Sequence, residues 1–134
     1  MIIMVVEDSE TQRFFIKHRL EKIGFDDIME AENGEEAMIQ LELCKPDVIL
    51  LDSAMPEMDG ITFLRKLREN DQSTAVIMVT TTRRRNEVQE AIEAGVNDYI
   101  VKPYELDMLE QKIHSVLDTP DEAHPHFSTA RLAT

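Results

Sequence analysis

The chain of 134 residues carries a single cysteine, Cys44. One thiol cannot close an intramolecular disulfide, which suits a reducing compartment. Cys44 lies near the end of an apolar-faced helix with no histidine or second cysteine beside it, so it is expected to be a packing residue. Basic side chains are scarce: 14 Lys and Arg stand against 27 Asp and Glu, for a net charge of -13. Such a field repels nucleic acid and anionic membranes and favours cations and basic partners. No direct nucleic-acid binding is therefore expected. No apolar run approaches the ~18 residues that would span a bilayer. The Met1–Val6 start has no basic n-region and runs straight into Glu7-Asp8, unlike a secretion signal. A cytoplasmic protein without membrane contact is the expectation. The first apolar run is not followed by a Gly-rich loop, which disfavours a nucleotide-binding fold. No repeat of 20–50 residues and no low-complexity core segment is visible.

With 43% hydrophobic and 31% charged residues, the chain is globular and long enough for one well-formed core. Strand-like and helix-like periods alternate along it. Ile2–Val6 reads as a strand, and residues 9–23 place Phe15, Ile16, Leu20 and Ile23 at helical spacing, with Gly24 as a stop. A short strand at Asp27–Ala31 is followed by Asn33-Gly34, read as a turn, and by a helix over 35–44 with Ala37, Met38 and Leu41 on one face. Val48–Leu51 and Ala75–Val79 are continuous apolar runs, as in strands covered on both faces. Helices are predicted over 61–69, 84–94 and 105–117, the last with Leu106, Leu109, Ile113 and Val116 in register, and a fifth strand over 98–102. Strict alternation predicts an α/β fold, a doubly wound five-stranded parallel sheet with five helices. From Asp118 the pattern ends. Residues 118–134, with Pro120 and Pro125, are expected to form a flexible tail or the start of a linker, and His124 and His126 within it are read as incidental.

Four of the five strands share one layout, an apolar run with a polar residue at or just past its end. They deliver Glu7 and Asp8, Asp52, Thr80 and Lys102. In open parallel sheets, ligands bind outside the carboxyl ends of the strands, where the strand order reverses. Three carboxylates, a hydroxyl and an ammonium are thus expected on one patch. Two like charges at ~4 Å repel by roughly 4 kcal/mol at an effective dielectric near 20. Something must offset that, either Lys102 or a hard divalent cation with oxygen ligands such as Mg²⁺. Taken singly, Glu7-Asp8 would read as a helix-capping pair and Lys102 as a solvated lysine. Their conjunction at four strand ends points to a site. In the loop after Asp52, Pro56 and Gly60 fix a turn and Asp59 can cap the next helix. A carboxylate held beside a cation at such a loop is a candidate nucleophile of the aspartyl-phosphate kind.

Glu7-Asp8, Asp52 with Met55-Pro56 and Asp59-Gly60, Thr80, Tyr99 and Lys102-Pro103 together resemble the receiver domain of two-component response regulators. The likeness covers residues 1–117. From it come the flavodoxin-like strand order 2-1-3-4-5, known from the family's chemotaxis regulator, and a single-domain, chemotaxis-regulator-like identity. It further implies that Asp52 is the phosphoacceptor, served by a sensor histidine kinase or a histidine phosphotransfer protein. Asp8, Asp52 and the backbone carbonyl of Ala54 would ligate Mg²⁺, with Glu7 acting largely through coordinated water. Thr80 and Lys102 would contact the phosphoryl oxygens. Thr80 and Tyr99 would form a switch in which Thr80 moves and the Tyr99 ring turns into the vacated space. That change would remodel the surface of the fourth helix, fifth strand and fifth helix for a downstream protein target. The Lys102-Pro103 bond would be cis.

Three positions depart from the commonest family residues. Glu7 stands for an aspartate, and Thr81 replaces a smaller residue, narrowing access to Asp52. Ala54 offers no polar side chain to orient a water, so a long-lived phosphoryl group is expected. The run Arg83-Arg84-Arg85 at a helix start is read as a solvated face, with docking of an acidic partner as the alternative. Two rival functions remain in view besides an N-terminal receiver module of a larger multidomain effector. A Mg²⁺-dependent aspartyl-phosphate phosphatase commonly has a second acid two residues past its nucleophile, where this chain has Ala54. A pseudo-receiver would lack the intact set of Glu7, Asp8, Asp52, Thr80 and Lys102.

Overall fold

The computed structural model describes residues 1–53, 55, 58–81 and 84–118, with the backbone alone at Asp118. The expectations for Ala54, Pro56, Arg83 and the tail with His124 and His126 lie outside the described residues. Ten elements alternate: β1 (Ile2–Val6), α1 (Glu10–Ile23), β2 (Asp27–Ala31), α2 (Gly34–Leu43), β3 (Val48–Asp52), α3 (Gly60–Asn70), β4 (Ala75–Thr80), α4 (Arg85–Ala94), β5 (Asp98–Val101) and α5 (Leu106–Asp118). The strands form one sheet in the order β2-β1-β3-β4-β5, and every neighbouring pair is parallel. The expected doubly wound fold is the one found.

The two faces of the sheet follow from the two-residue period of a strand. Met4, Val6, Ile49 and Leu51 point to one face, where Phe63, Leu64 and Leu67 of α3 and Ala91 of α4 cover them. Ile3, Val5, Val48 and Leu50 point to the other, against Ile16 and Leu20 of α1 and Leu109, Ile113 and Val116 of α5. Both faces are covered, so β3 and β4 are buried at every position. Burial of this apolar surface, at roughly 25 cal/mol per Å², is the main force holding the sheet and helices together.

Several sequence expectations change. Phe15 is 52% exposed rather than packed. The buried stripe of α1 runs through Ile16 and Leu20, and a helical step of one residue turns Phe15 some way around the axis, where it meets Phe14 edge-on at 5.9 Å. Cys44 is exposed, because α2 ends at Leu43 and Cys44 is its C-cap in extended backbone. Leu106 starts α5 and stays partly exposed, so the packed stripe begins at Leu109. Asn33-Gly34 forms a helix start rather than a free turn: the Asn33 side chain accepts from the Glu36 amide at 2.8 Å and Gly34 is the first residue of α2. Gly24 and Gly95 close α1 and α4 at positive φ, where a side chain would be strained.

Two buried polar clusters lock helices to the sheet away from the strand ends. The Lys112 ammonium of α5 donates to Asp98 at the start of β5 at 2.9 Å, and the same carboxylate oxygen accepts from the Tyr99 amide. Arg68 of α3 donates to the Gly95 carbonyl and to Asn97 Oδ1, both at 2.9 Å, and Asn97 in turn accepts from the Val76 amide. Burial pushes the Arg68 guanidinium below its ordinary pKa, while Asp71 acts in the opposite sense. Among the described residues, no helix is long and apolar enough to cross a membrane.

Candidate functional site

Sheet register assembles the site. Val6 pairs with Leu51, so the next residues, Glu7 and Asp52, leave adjacent strands side by side. Asp52 pairs with Val79, which brings Ser53 beside Thr80. Thr80 pairs with Val101, and the Lys102 amide donates to the Thr80 carbonyl at 2.7 Å, extending the ladder by one residue. The carboxyl ends of β1, β3, β4 and β5 therefore present Glu7, Asp8, Asp52, Thr80 and Lys102 to one place. That is the convergence the sequence layout implied. The Lys102–Pro103 peptide bond is cis.

Carboxylate oxygens of Glu7, Asp8 and Asp52 lie within 4.8 Å of one another. The Lys102 ammonium stands 3.7 Å from Glu7 Oε1 and 3.9 Å from Asp52 Oδ1. These are ion-pair distances, too long for hydrogen bonds. Glu7 is 1% exposed. Its Oε2 accepts from the Ser9 amide at 3.2 Å, whereas Oε1 is buried with no hydrogen-bond partner among the described residues. Burial pushes the Glu7 carboxyl up to about 7; the Ser9 amide opposes the shift, and the nearby Asp52 and Asp8 add to it. An orphaned buried oxygen among three hard donors, in a cluster with excess negative charge, fits a small divalent cation.

Beside the carboxylates runs a chain of hydroxyls. Ser53 Oγ donates to Thr80 Oγ1 at 2.6 Å, and the Thr80 side chain lies near enough to the Tyr99 phenol to influence its ionisation. Tyr99 is 6% exposed, so its ring sits inside the domain. Burial raises the phenol's pKa, the nearby Thr80 side chain acts against that rise, and the Glu87 charge adds to it. A cleft of about 360 Å³ opens here between α3 and α4, bounded by Ser53, Ile61, Thr81, Glu87 and Tyr99.

Residues outside the strand ends hold this arrangement. Asp59 caps α3 through the Thr62 amide at 2.8 Å. Ser9, not the Glu7-Asp8 pair, caps α1 by accepting from the Gln12 amide. Arg13 donates to the Glu7 carbonyl at 2.8 Å and to the Glu30 carboxylate at 3.3 Å, tying the end of β1 to α1 and β2. Gln12 accepts from Lys102 at 2.9 Å. Ser53, Gln12 and Arg13 were not singled out by the sequence reading; of these, only Ser9-x-x-Gln12 carried a local signal, the pattern of a capping box.

Gly60 is required by close approach. A Cβ there would fall 2.6 Å from the Asp52 carbonyl oxygen and 2.9 Å from the Ser53 Cα. Both contacts are with backbone, which cannot swing aside. Gly60→Ala is therefore expected to cost about 1–3 kcal/mol, a fall of several degrees in Tm, and to displace Asp52. Thermal melts and Mg²⁺ binding measured on the same variant check this; an unchanged Tm would show that the α3 start has room to move.

Residues 3–114 match the family model described as the response regulator receiver domain. The chain is 40% identical to chemotaxis protein CheY1 of Helicobacter pylori over 124 residues, covering 90% of this chain and all of the relative. It is 42% identical to the CheY homolog of Campylobacter jejuni over 122 residues, covering 89% of this chain and 94% of that one. The crystallised Vibrio cholerae chemotaxis protein CheY4 superposes with a TM-score of 0.80 at 30% identity, over 87% of this chain and 98% of the other. With its parallel 2-1-3-4-5 sheet and its acidic cluster at the strand ends, the chain belongs to the response regulator receiver domain family, among the CheY-like regulators of two-component signalling.

Proposed function

We propose that Asp52 accepts a phosphoryl group from a phosphohistidine donor, a sensor histidine kinase or a phosphotransfer protein, and that the charge so added switches a protein-binding surface. One observation carries the reading: a single ammonium, Lys102, stands between the carboxylates of Glu7 and Asp52 at 3.7 and 3.9 Å, all at strand ends. In the transfer, an Asp52 oxygen forms the new O–P bond as the donor's N–P bond breaks, and the electron pair returns to the imidazole. Such a reaction asks mainly for positioning and charge neutralisation. Asp8, Asp52 and the Ala54 carbonyl, with Glu7 acting less directly, would hold Mg²⁺, which would supply positive charge to the phosphoryl oxygens. Lys102 offers three donors on a flexible stem for another oxygen.

Thr80 couples site to surface. Its hydroxyl lies near the Tyr99 phenol and acts on its ionisation, and a phosphoryl oxygen on Asp52 would draw that hydroxyl toward itself. Because the Tyr99 ring already lies inside, movement of Thr80 toward the phosphoryl group would draw it away from the phenol and reshape the packing of α4, β5 and α5. The domain promotes its own modification and turns over no separate substrate. The receiver spans residues 1–117 and works in the cytoplasm. Incubation with a phosphohistidine donor in Mg²⁺ or EDTA, with the label mapped by mass spectrometry, tests the proposal. Label on the peptide holding Asp52, present in Mg²⁺ and absent in EDTA, is expected; steady release of phosphate from a phosphoester would instead indicate a phosphatase.

A further inference from the structure

Ser9-Glu10-Thr11-Gln12 has the pattern of a capping box, in which the N-cap serine and the glutamine three residues later bond each other's backbone amides. Only half of that box is made. The Gln12 amide donates to Ser9 Oγ at 3.2 Å, but the Ser9 amide donates to Glu7 Oε2 instead of to Gln12. The Gln12 side chain is thereby released from its usual local role. Lying in the first turn of α1, it extends back toward the helix N-terminus, over the strand ends. There its Oε1 accepts from the Lys102 ammonium at 2.9 Å, across ninety positions of sequence.

Resting on the phosphoacceptor reading above, we propose that Gln12 is a positioning residue that holds the Lys102 ammonium off the carboxylates and so keeps Glu7, Asp8 and Asp52 open to Mg²⁺. The distances support this. An ammonium free to pair with a carboxylate settles at about 2.7–2.9 Å, yet among the described residues Lys102 stands 3.7 and 3.9 Å from two carboxylates and makes its close contact, at 2.9 Å, with a neutral amide. Without that amide, Lys102 closes onto Glu7 and Asp52 and competes with the metal for the same oxygens.

A double-mutant cycle read by Mg²⁺ titration calorimetry tests the inference on wild type, Gln12→Ala, Lys102→Met and the double variant. Gln12 is exposed, so Gln12→Ala should leave Tm unchanged while weakening Mg²⁺ binding about 3- to 10-fold. In the Lys102→Met background the same substitution should change binding by less than about 2-fold, because the competitor is gone. Unchanged affinity in Gln12→Ala, or an equal loss with Lys102 absent, overturns the role of Gln12 alone. A wild type that fails to bind Mg²⁺ overturns the metal-site reading along with it.

Discussion

Asp52→Ala should abolish phosphoryl uptake and, in the same variant, raise the stability of the metal-free protein. Loss of uptake follows from the lack of a substitute. Glu7 is 1% exposed and its carboxyl tends to hold a proton near neutral pH, which makes it a poor and inaccessible nucleophile. Asp8 is exposed and, among the described residues, lacks the Lys102 ion pair that Glu7 and Asp52 have, and Ser53 already spends its hydroxyl proton on Thr80. Label persisting on any of these residues at a rate near wild type would show that Asp52 is not the acceptor.

The gain in stability follows from charge. Asp52 is one of three acidic groups within 4.8 Å and helps to raise the Glu7 pKa. Its removal forfeits the Lys102 ion pair at 3.9 Å but leaves Lys102 with Glu7 at 3.7 Å and with Gln12. Relief of repulsion then exceeds the loss by about 1 kcal/mol, which corresponds to roughly 3–5 °C in Tm for a domain of this size. Added Mg²⁺, which should stabilise wild type, should leave the variant's Tm nearly unmoved. A site that costs stability when empty is the ordinary state of functional sites.

How far the sequence could be read depended on whether a feature is set by local pattern or by contact across the fold. The apolar runs Val48–Leu51 and Ala75–Val79 identify buried parallel strands because a strand covered on both faces has no polar side to show. The convergence of Glu7, Asp8, Asp52, Thr80 and Lys102 is equally legible, since all parallel strands end on the same side. Phe15 misled because an apolar residue next to a buried stripe counts toward the pattern whether or not a partner lies opposite it. Cys44 misled because the end of α2, one residue earlier, decides its exposure. The hydroxyl chain from Ser53 through Thr80 depends on β3 and β4 pairing Asp52 with Val79, a register that periodicity leaves undetermined. Gln12 on Lys102 and Arg13 on the Glu7 carbonyl arise where α1 meets the strand ends, so no local pattern announces either.

Without metal, the protein should lose stability as pH rises from about 4.5 to about 7, and Mg²⁺ should remove or reverse that trend. In the folded state Glu7 holds its proton up to about 7, against an ordinary value of 4.5. Below 4.5 the group is protonated in folded and unfolded chains alike, and its contribution is fully present. Between the two values the unfolded chain releases the proton while the folded one keeps it, so each increment of pH favours unfolding. Above 7 both are ionised and the contribution is gone, a loss on the order of 3 kcal/mol, which is large beside the ~5–15 kcal/mol of a typical domain. Asp71 acts in a separate, lower window. Hydrogen bonds from Thr74 and Ser73 and the Lys45 charge outweigh its burial and hold it at about 2, so its contribution is lost as pH falls through that value. Maximum stability in EDTA should therefore lie near pH 4–5. Mg²⁺ bound at the ionised carboxylates should restore stability where Glu7 has lost its proton, by an amount that grows with the ratio of metal concentration to Kd. Urea melts between pH 4.5 and 8, in EDTA and in Mg²⁺, measure both curves. Glu7→Gln should flatten the EDTA curve, which separates this carboxyl from the general self-repulsion of a chain with net charge -13. A wild-type curve in EDTA that is level or rising from pH 5 to 7.5 would mean that Glu7 ionises in the folded protein as readily as in the unfolded chain, and that the acidic cluster is not under the strain its geometry implies.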